Sequence, residues 1–507
     1  MSPENSNKEL GWRATTGLLF LLALVIYFQW LTHTPFGHEL ITRPADGHGL
    51  GLTFNSMLES LLRGRFDVDP ATVGLEGFGR DGRVYAYWGI FFALLRAPLV
   101  LLPGGLGLDV TCLSCLVAVG IAAFVKVKTL RLVFRQAPQG RAVDLLYLIL
   151  LLTLLFAGPQ IQFLKSSLYV EVCLWASAMG AAFVYCAVRG LLEDRFSTAL
   201  LASMAAFAGL ALLARVSVGI GLYAATALLL LALLFFPLAT ERRSGALATP
   251  SMPSWRALGA SPILVPAAIL LAFALLAGVV NFGRWGNPLV FADYQAYLMN
   301  VEHPDRLPRT AEFGLFNPIR VPFGLVYFLV PVWVVLRRDG RLVLEEHQMR
   351  LIDSTELPPS SFLLTDALLV SLLLFAAWSL ARVGSWEPTR RARALSIGVG
   401  LGVSCLLMLS AISMCHRYRL DFYPFIEFGA FAGLVFLLRE RMIISGVIKW
   451  TAATAAALSI VASQVVLVLY KLSDFGPGVH WLDDGFVDYY WHQVVSAFPS
   501  LARLQLL

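Results

Sequence analysis

Long apolar stretches recur along the whole chain and are separated by short polar segments. Eleven of them are close in length to the roughly 20 residues that a membrane-spanning helix needs. They cover residues 12–32, 108–127, 143–158, 167–188, 197–214, 217–237, 261–281, 362–381, 394–414, 422–438 and 447–470. The pattern therefore predicts an all-α polytopic membrane protein with about eleven transmembrane helices.

Two further apolar stretches, residues 85–103 and 321–336, leave the number of crossings open. Lys and Arg collect in cytoplasmic loops, so the basic segments fix the side on which a helix ends. The N-terminus and the basic segment at 126–141 are both predicted to be cytoplasmic. Helices 12–32 and 108–127 already supply the two crossings between them. Residues 85–103 are therefore predicted to lie along the outer interface.

The same reasoning applies to residues 321–336. Basic residues at 242–256 and at 390–393 are predicted to be cytoplasmic, and helices 261–281 and 362–381 cross between them. The stretch is then a second non-crossing element on the outer side. The arginines that follow it directly would suit a cytoplasmic loop equally well, so a crossing at this point stays an alternative.

These assignments divide the chain into a membrane-embedded domain, residues 1–470, and an outer tail, residues 471–507. The domain has two large outer segments, residues 33–107 and 282–361, and both are expected to carry interfacial helices. The spacing of apolar residues predicts a short amphipathic helix at Phe54–Leu62 in the first of them.

The composition agrees with a membrane protein. Of the 507 residues, 58% are hydrophobic and 14% are charged, whereas a soluble domain is about 45–50% apolar and about 25% charged. The net charge of +6 is carried by short loops between apolar runs, which is typical of orientation charges and not of a nucleic-acid-binding surface. All six cysteines lie in or beside apolar segments, where packing is expected instead of a redox or zinc site.

Charged side chains gather where the predicted helices end on the outer side. One short gap between two apolar runs reads HRYRLDFYP and contains Arg417, Arg419 and Asp421. Other polar residues on this side are His48, Lys165, Glu171, Arg215, Asp293 and Tyr294. Ionisable groups at membrane depth are costly and by default mark a functional site.

Paired arginines suit a phosphate or pyrophosphate group, because such a group accepts bidentate hydrogen bonds. The sequence therefore predicts an outward-facing cavity lined by cations and at least one carboxylate, into which a lipid phosphate would fit. The alternative is that these cations only extend to the membrane interface, and that Asp421 neutralises one of them.

Several motifs in fixed order resemble one enzyme family. The first outer segment contains LLRGRFDV followed by DGRVYAYWGIFFALLRAPL, and later segments read SSLYVEVCLW, GLALLARVSVGIGL, NFGRWGNPLVFADYQAYL and CHRYRLDFYPF. This series resembles the multi-pass glycosyltransferases of the GT-C fold, in the group related to protein mannosyltransferases and aminoarabinose transferases. The resemblance covers most of the chain up to about residue 440.

The resemblance implies a transferase that moves a hexosyl or pentosyl group from a polyprenyl-phosphate donor to a lipid, glycan or protein acceptor. Transfer would occur on the non-cytoplasmic side with inversion of the anomeric centre, and it implies a bacterial inner (plasma) membrane. Cations would hold the lipid phosphate, and a carboxylate of the first outer segment would be the general base.

Asp46 is the first candidate for this base, and Asp67 and Asp69 are the next. Many relatives have two adjacent acidic residues here, but in this chain Gly47 follows Asp46. Asp46 would otherwise be a turn or helix-capping residue. No metal site is assigned. A divalent metal is left open as a cofactor, with His48 as a candidate ligand.

Two other functions use the same cationic cavity. A transporter or flippase of lipid-linked sugars would need inverted repeats and polar groups on both sides of the membrane, and neither is evident in the sequence. A polymerase or ligase of lipid-linked glycans would also act on the outer side, but it would not need an acidic first segment.

Overall fold

The computed structural model describes the chain except residues 1–2, 34–36, 46, 136, 139, 236–262, 331–349, 357–359, 383, 385, 440–445, 474–485 and 498–507. Each of the eleven predicted segments coincides with a helix. These long helices are α1 Pro3–Thr32, α2 Thr111–Phe134, α3 Arg141–Phe156, α4 Leu168–Leu192, α5 Thr198–Ala214, α6 Val216–Phe235, α7 Leu264–Trp285, α8 Ala367–Ala381, α9 Pro388–Leu409, α10 Tyr423–Arg439 and α11 Gly446–Leu472. The protein is thus an all-α polytopic membrane protein.

Eight helices in the described part of the chain are long and apolar enough to cross a membrane. Helices α3, α5 and α8 are shorter, at 16, 17 and 15 residues. The short helix Phe362–Thr365 immediately precedes α8 and lengthens that segment. The total of eleven crossings stays a prediction for these three segments.

The long helices pack closely through small residues. Helix α9 lies along α6, and a Cβ atom added at Gly400 would come within 2.2 Å of the backbone of Ala225. Helix α2 lies along α4, and α8 lies along α10. Small residues let helix backbones approach each other where the surrounding lipid supplies no hydrophobic driving force. The buried core therefore runs between these helix pairs.

One prediction about the inner loops needs correction. The basic residues Lys126 and Arg131 were assigned to a cytoplasmic loop, but α2 continues to Phe134 and includes both. Lys126 is buried, and its ammonium group lies 2.5 Å from the Glu427 carboxylate and 2.7 Å from the Gln160 side chain. The predicted helix ended at residue 127, just after Lys126, because the hydrophobic pattern could not show that a carboxylate on α10 neutralises this charge.

The described residues of the first outer segment form short elements and no long helix. The amphipathic helix predicted at Phe54–Leu62 is confirmed as Thr53–Leu62. An antiparallel hairpin follows, with β1 at Phe78–Arg80 and β2 at Arg83–Tyr85. Asp81 and Gly82 both have positive φ, at 51° and 71°, as a two-residue hairpin turn requires.

The apolar stretch at 85–103 forms only the five-residue helices Phe91–Leu95 and Ala97–Leu101. Each is far shorter than the roughly 20 residues of a membrane span. In the stretch 321–336, helix Val321–Leu329 ends after nine residues at the extended Val330, and the rest lies outside the described residues. The outer tail includes a helix at Phe486–Ala497.

The two outer segments join each other at one end of the helix bundle. Phe78 forms an antiparallel bridge with Tyr297, and the Leu298 amide donates to the Gly77 carbonyl at 3.0 Å. The buried Arg284, at the end of α7, donates to the Trp88 carbonyl at 2.8 Å. These contacts place the first outer segment, the second outer segment and the outer end of α7 in one layer.

Candidate functional site

Arg215 forms a bidentate ion pair at the turn between α5 and α6. Its Nε and Nη2 atoms lie 2.8 Å and 2.7 Å from the two carboxylate oxygens of Asp421. Asp421 belongs to the 3₁₀ stretch His416–Phe422 that leads into α10, and it also accepts a 2.6 Å hydrogen bond from the Ser217 hydroxyl. The pair therefore joins the start of α6 to the start of α10.

Arg417 lies in the same 3₁₀ stretch and pairs with Glu356. The other oxygen of this carboxylate accepts the His416 amide at 2.7 Å. The guanidinium carbon of Arg417 lies 4.7 Å from the ring centroid of Tyr169, at the start of α4. Helices α4 and α10 and the segment before α8 thus meet around this one side chain.

Arg215 and Arg417 both lie against the ring of Tyr418. Their guanidinium carbons lie 5.0 Å and 5.7 Å from its centroid. Asp421 and Glu356 are buried, whereas the arginine side chains keep 15% and 21% of their surface exposed. Each guanidinium group is therefore held by a buried carboxylate, and part of its surface remains available to an anion. We call Arg215 and Arg417 the arginine pair.

Lys165 lies beside the arginine pair, in the segment just before α4. Its ammonium group is 5.0 Å from the centroid of Tyr470, near the end of α11. Burial lowers the pKa of Lys165 to about 8. The carboxylate of Glu356 opposes this shift, and the charge of Arg417 adds to it. The cations Lys165 and Arg417 thus lie close together, although burial makes the charged form of Lys165 less favourable.

Five half-buried tyrosines lie between the arginine pair and the first outer segment. They are Tyr87, Tyr169, Tyr294, Tyr297 and Tyr418, which we call the tyrosine cluster. The Tyr297 hydroxyl donates to Glu76 at 2.7 Å, and the Tyr169 hydroxyl also interacts with Glu76. The half-buried Glu76 therefore adds a carboxylate to the side of the cluster formed by the outer segments.

The electrostatics of Tyr87 connect the two sides of the cluster. Burial raises the pKa of Tyr87, and the nearby Tyr294 and Glu76 raise it further. Arg417 and Arg215 shift the same pKa downward. The Tyr87 hydroxyl therefore lies within electrostatic reach of the carboxylate on one side and of both guanidinium groups on the other.

Arg419 does not join the arginine pair, although the sequence assigned it to the same site. Its guanidinium is buried and donates to the carbonyls of Phe328, Tyr327 and Ser360 at 2.9, 3.0 and 2.8 Å. Arg419 thus connects the helix Val321–Leu329 with the segment before α8. These three hydrogen bonds give Arg419 a structural role.

Glu171 is also enclosed within the protein. It forms an ion pair with Arg96 at 2.7 Å, and the two side chains are 0% and 1% exposed. Arg96 comes from the apolar stretch 85–103 that does not cross. The pair holds this stretch against α4, so Glu171 has a protein partner at the position where the sequence suggested a substrate.

The first-segment acids occupy different positions. Asp46, the first candidate for the base, lies outside the described residues. Asp67 is near Arg65, with 3.3 Å between Oδ1 and Nε. Asp69 is exposed and caps the short helix Pro70–Val73 by accepting the Ala71 amide at 3.0 Å.

The remaining predicted residues lie on the outer segments. His48 is exposed. Asp293 is exposed and caps a 3₁₀ turn by accepting the Gln295 amide at 3.1 Å. Tyr294 is part of the tyrosine cluster. Among the described residues, no group of three or more His, Cys, Asp or Glu side chains is arranged to hold a metal ion.

Sequence reasoning missed Glu76, Glu356 and most of the tyrosine cluster. The tyrosines had a signal, because Tyr169 and Tyr418 belong to the same motifs as the candidate ions, SSLYVEV and HRYRL. Glu356 lies in the polar stretch just before the apolar segment 362–381, and nothing in the sequence links it to Arg417.

A cavity of about 240 Å³ opens next to Tyr169. Its walls include the side chains of Glu39 and Asp109 and the segment Ser166–Ser167, which directly follows Lys165. The Asp109 carboxylate also accepts the Thr111 amide at 2.9 Å, at the start of α2. The cavity belongs to the same outer face as the arginine pair and is open to polar ligands.

The chain was compared with known proteins at three levels. No family description and no curated protein matches it. Among solved structures, it aligns with the archaeal oligosaccharyltransferase AglB from Archaeoglobus fulgidus in complex with an inhibitory peptide and a dolichol-phosphate. That alignment has a TM-score of 0.45 and 15% identity, and covers 93% of this chain and 57% of the other.

Two further structures of the Archaeoglobus fulgidus oligosaccharyltransferase align in a similar way. The apo form gives a TM-score of 0.43 at 13% identity and covers 92% of this chain and 57% of the other. The form tethered to an acceptor peptide gives 0.42 at 13% identity, with 94% and 58% covered. The chain thus corresponds to less than three fifths of the length of each. It is an all-α, multi-pass membrane protein whose backbone aligns with these archaeal oligosaccharyltransferases.

Proposed function

We propose that the protein is a membrane glycosyltransferase that uses a polyprenyl-phosphate sugar as donor and acts on the non-cytoplasmic side of the membrane. One observation carries the proposal: Arg215 and Arg417 both lie against Tyr418 and each pairs with a buried carboxylate, while Glu76 of the first outer segment contacts the tyrosine cluster. An anion site and a polar site for hydroxyl groups therefore adjoin each other at the ends of the helices.

The arginine pair is suited to the leaving group. When the bond between the anomeric carbon and the phosphate oxygen breaks, the electron pair stays on that oxygen and the lipid phosphate gains negative charge. Guanidinium groups that are already oriented stabilise this charge without reorganisation. Asp421 and Glu356 provide the orientation here, and Lys165 adds a third cation.

The acceptor hydroxyl needs a base. A carboxylate within hydrogen-bond reach takes the hydroxyl proton while the oxygen attacks the anomeric carbon from the face opposite the phosphate. A single displacement of this kind inverts the anomeric centre. Asp46, Asp67 and Asp69 are the candidates for the base, and the acceptor is a lipid, a glycan or a protein.

The test uses purified protein in detergent with undecaprenyl-phosphate hexoses and pentoses and a panel of acceptors. Release of undecaprenyl phosphate and transfer of the sugar are measured together. We expect the double variant Arg417→Ala/Glu356→Gln to lose activity by about 10²–10³-fold, the usual effect of removing one charge-stabilising donor. The second substitution prevents a buried carboxylate from being left without its partner.

The matched control is Arg63→Ala/Glu59→Gln, which removes an exposed ion pair in the first outer segment. It should turn over like the wild type. Of Asp46→Asn, Asp67→Asn and Asp69→Asn, one should abolish transfer while donor binding persists. If the wild-type protein moves the lipid across vesicles without releasing sugar, the function is that of a flippase and the proposal fails.

A further inference from the structure

We infer that Glu76 and the tyrosine cluster form the subsite for the donor sugar, next to the arginine pair that takes its phosphate. This inference rests on the proposed function and adds the residues that would distinguish a sugar-bearing lipid from the bare lipid phosphate. None of these residues was singled out by the sequence except Tyr294.

The spacing of the groups supports this assignment. Tyr169 has Arg417 over its ring, at 4.7 Å from the centroid, and Glu76 at its hydroxyl. The carboxylate and the guanidinium are thus separated by about the width of one phenol ring. A pyranose ring has a similar width, so a sugar whose phosphate contacts Arg417 would bring its far hydroxyls to Glu76.

The chemistry of the groups also fits a sugar. An ionised carboxylate has about four acceptor positions, and the hydroxyls of Tyr297 and Tyr169 occupy at most two of those on Glu76. The others can accept hydrogen bonds from sugar hydroxyls. Tyrosine rings combine an apolar face, on which the C–H face of a sugar can lie, with a polar tip.

The cluster is distinct from the core beneath it. The rings of Phe78, Tyr85 and Trp285 are buried against each other and account for the packing of the outer layer. Tyr297 stacks on Phe78 at 4.8 Å but remains half-buried, and Tyr87 contacts Phe78 edge-on at 5.7 Å. The buried rings therefore support Tyr297 and Tyr87, and the Tyr297 hydroxyl donates to Glu76.

The experiment measures equilibrium binding of two probes to the full chain in detergent, by quenching of tryptophan fluorescence. The probes are undecaprenyl phosphate and the undecaprenyl-phosphate sugar that binds wild type most tightly among glucosyl, mannosyl, galactosyl and arabinosyl forms. We expect Glu76→Gln to weaken binding of the sugar lipid about tenfold or more, as expected when a charged hydrogen-bond acceptor is lost, and to leave binding of undecaprenyl phosphate unchanged.

Tyr297→Phe keeps the ring but removes the hydroxyl that holds Glu76, and it should give a smaller loss in the same direction. It also serves if Glu76→Gln does not fold. Glu302→Gln, at an exposed carboxylate of the second outer segment, is the control and should bind both probes normally.

Equal weakening for both probes, or no weakening for either, would overturn the sugar subsite. The same holds if wild type binds no sugar lipid more tightly than undecaprenyl phosphate. If wild type binds neither probe, the proposed function itself fails, and this outcome is separate from a failure of the subsite alone.

Discussion

Each candidate cation of this protein has a protein partner that determines its role. Arg417 and Arg419 are only two residues apart. Arg417 is half-buried beside Tyr169, whereas Arg419 is buried and donates to three backbone carbonyls. The stretch that contains them is a 3₁₀ helix. With three residues per turn, side chains two positions apart point in different directions. Charge alone therefore does not identify a ligand-binding arginine.

At the residue scale, Lys165 predicts a pH dependence. Its pKa is lowered to about 8, so the ammonium form is present below this pH and is lost above it. Between pH 7 and pH 9 the charged fraction falls from about nine tenths to about one tenth. The KM for the polyprenyl-phosphate donor should therefore rise over this range.

The measurement is the donor KM as a function of pH for wild type and for Lys165→Arg. The guanidinium keeps its charge throughout the range, so this variant should show a flatter profile. Glu356, Arg417 and Lys471 of α11 lie near Lys165 in both proteins, so the difference between the two profiles reports on Lys165. Identical profiles would mean that Lys165 does not contact the donor.

At the scale of elements, buried ion pairs connect segments that the hydrophobic pattern leaves unrelated. Arg96 and Glu171 hold the non-crossing stretch 85–103 against α4. Lys126 and Glu427 connect α2 with α10. Breaking a buried pair is strongly destabilising because one charge is left uncompensated, whereas replacing both members by apolar residues is often tolerated.

We therefore expect Arg96→Met and Glu171→Gln each to destabilise the protein by about 3–5 kcal/mol. The double variant Arg96→Met/Glu171→Met should recover most of this stability. Thermal unfolding in detergent measures the effect. Sugar transfer by the double variant then distinguishes a structural role of Glu171 from a substrate contact. If the pair is structural, the double variant stays active. A stable but inactive double variant would indicate that Glu171 contacts the substrate.

At the scale of the whole molecule, the site residues come from helix ends that all lie on one face. The contacts among Tyr169, Arg215, Glu356 and Arg417 require the start of α4, the α5–α6 turn and the segments before α8 and α10 to share that face. The structure shows this common face, and the distribution of basic residues predicts that it lies on the outside of the membrane.

Labelling with a membrane-impermeant maleimide tests the assignment. All six native cysteines are buried, so they should give little background in the folded protein. Asp69→Cys and Glu302→Cys should react in intact cells, because both positions are exposed on the outer segments. Arg195→Cys, in the exposed turn between α4 and α5, should react only after the cells are opened. Labelling of Glu302→Cys from the cytoplasmic side would contradict the predicted number of crossings.

The sequence by itself determined the helices, because the length and apolarity of a membrane span are local properties. It also identified 85–103 as a stretch without a long helix and predicted the short helix at Thr53–Leu62. The outer placement of the two segments stays a prediction. It placed Arg215, Arg417 and Lys165 at helix ends, since few positions there carry charge in so apolar a chain.

Only the tertiary structure decided which charges meet. Asp421 is 206 positions from Arg215 along the chain, and Glu76 meets Tyr297 across 221 positions. No periodicity relates residues that far apart, because their contact depends on how the helices pack. The same helix packing buries Glu171 and Arg419. It leaves the arginine pair and Glu76 half-buried next to the tyrosine cluster. A buried charge needs a nearby partner, and the partner's identity is a property of the fold.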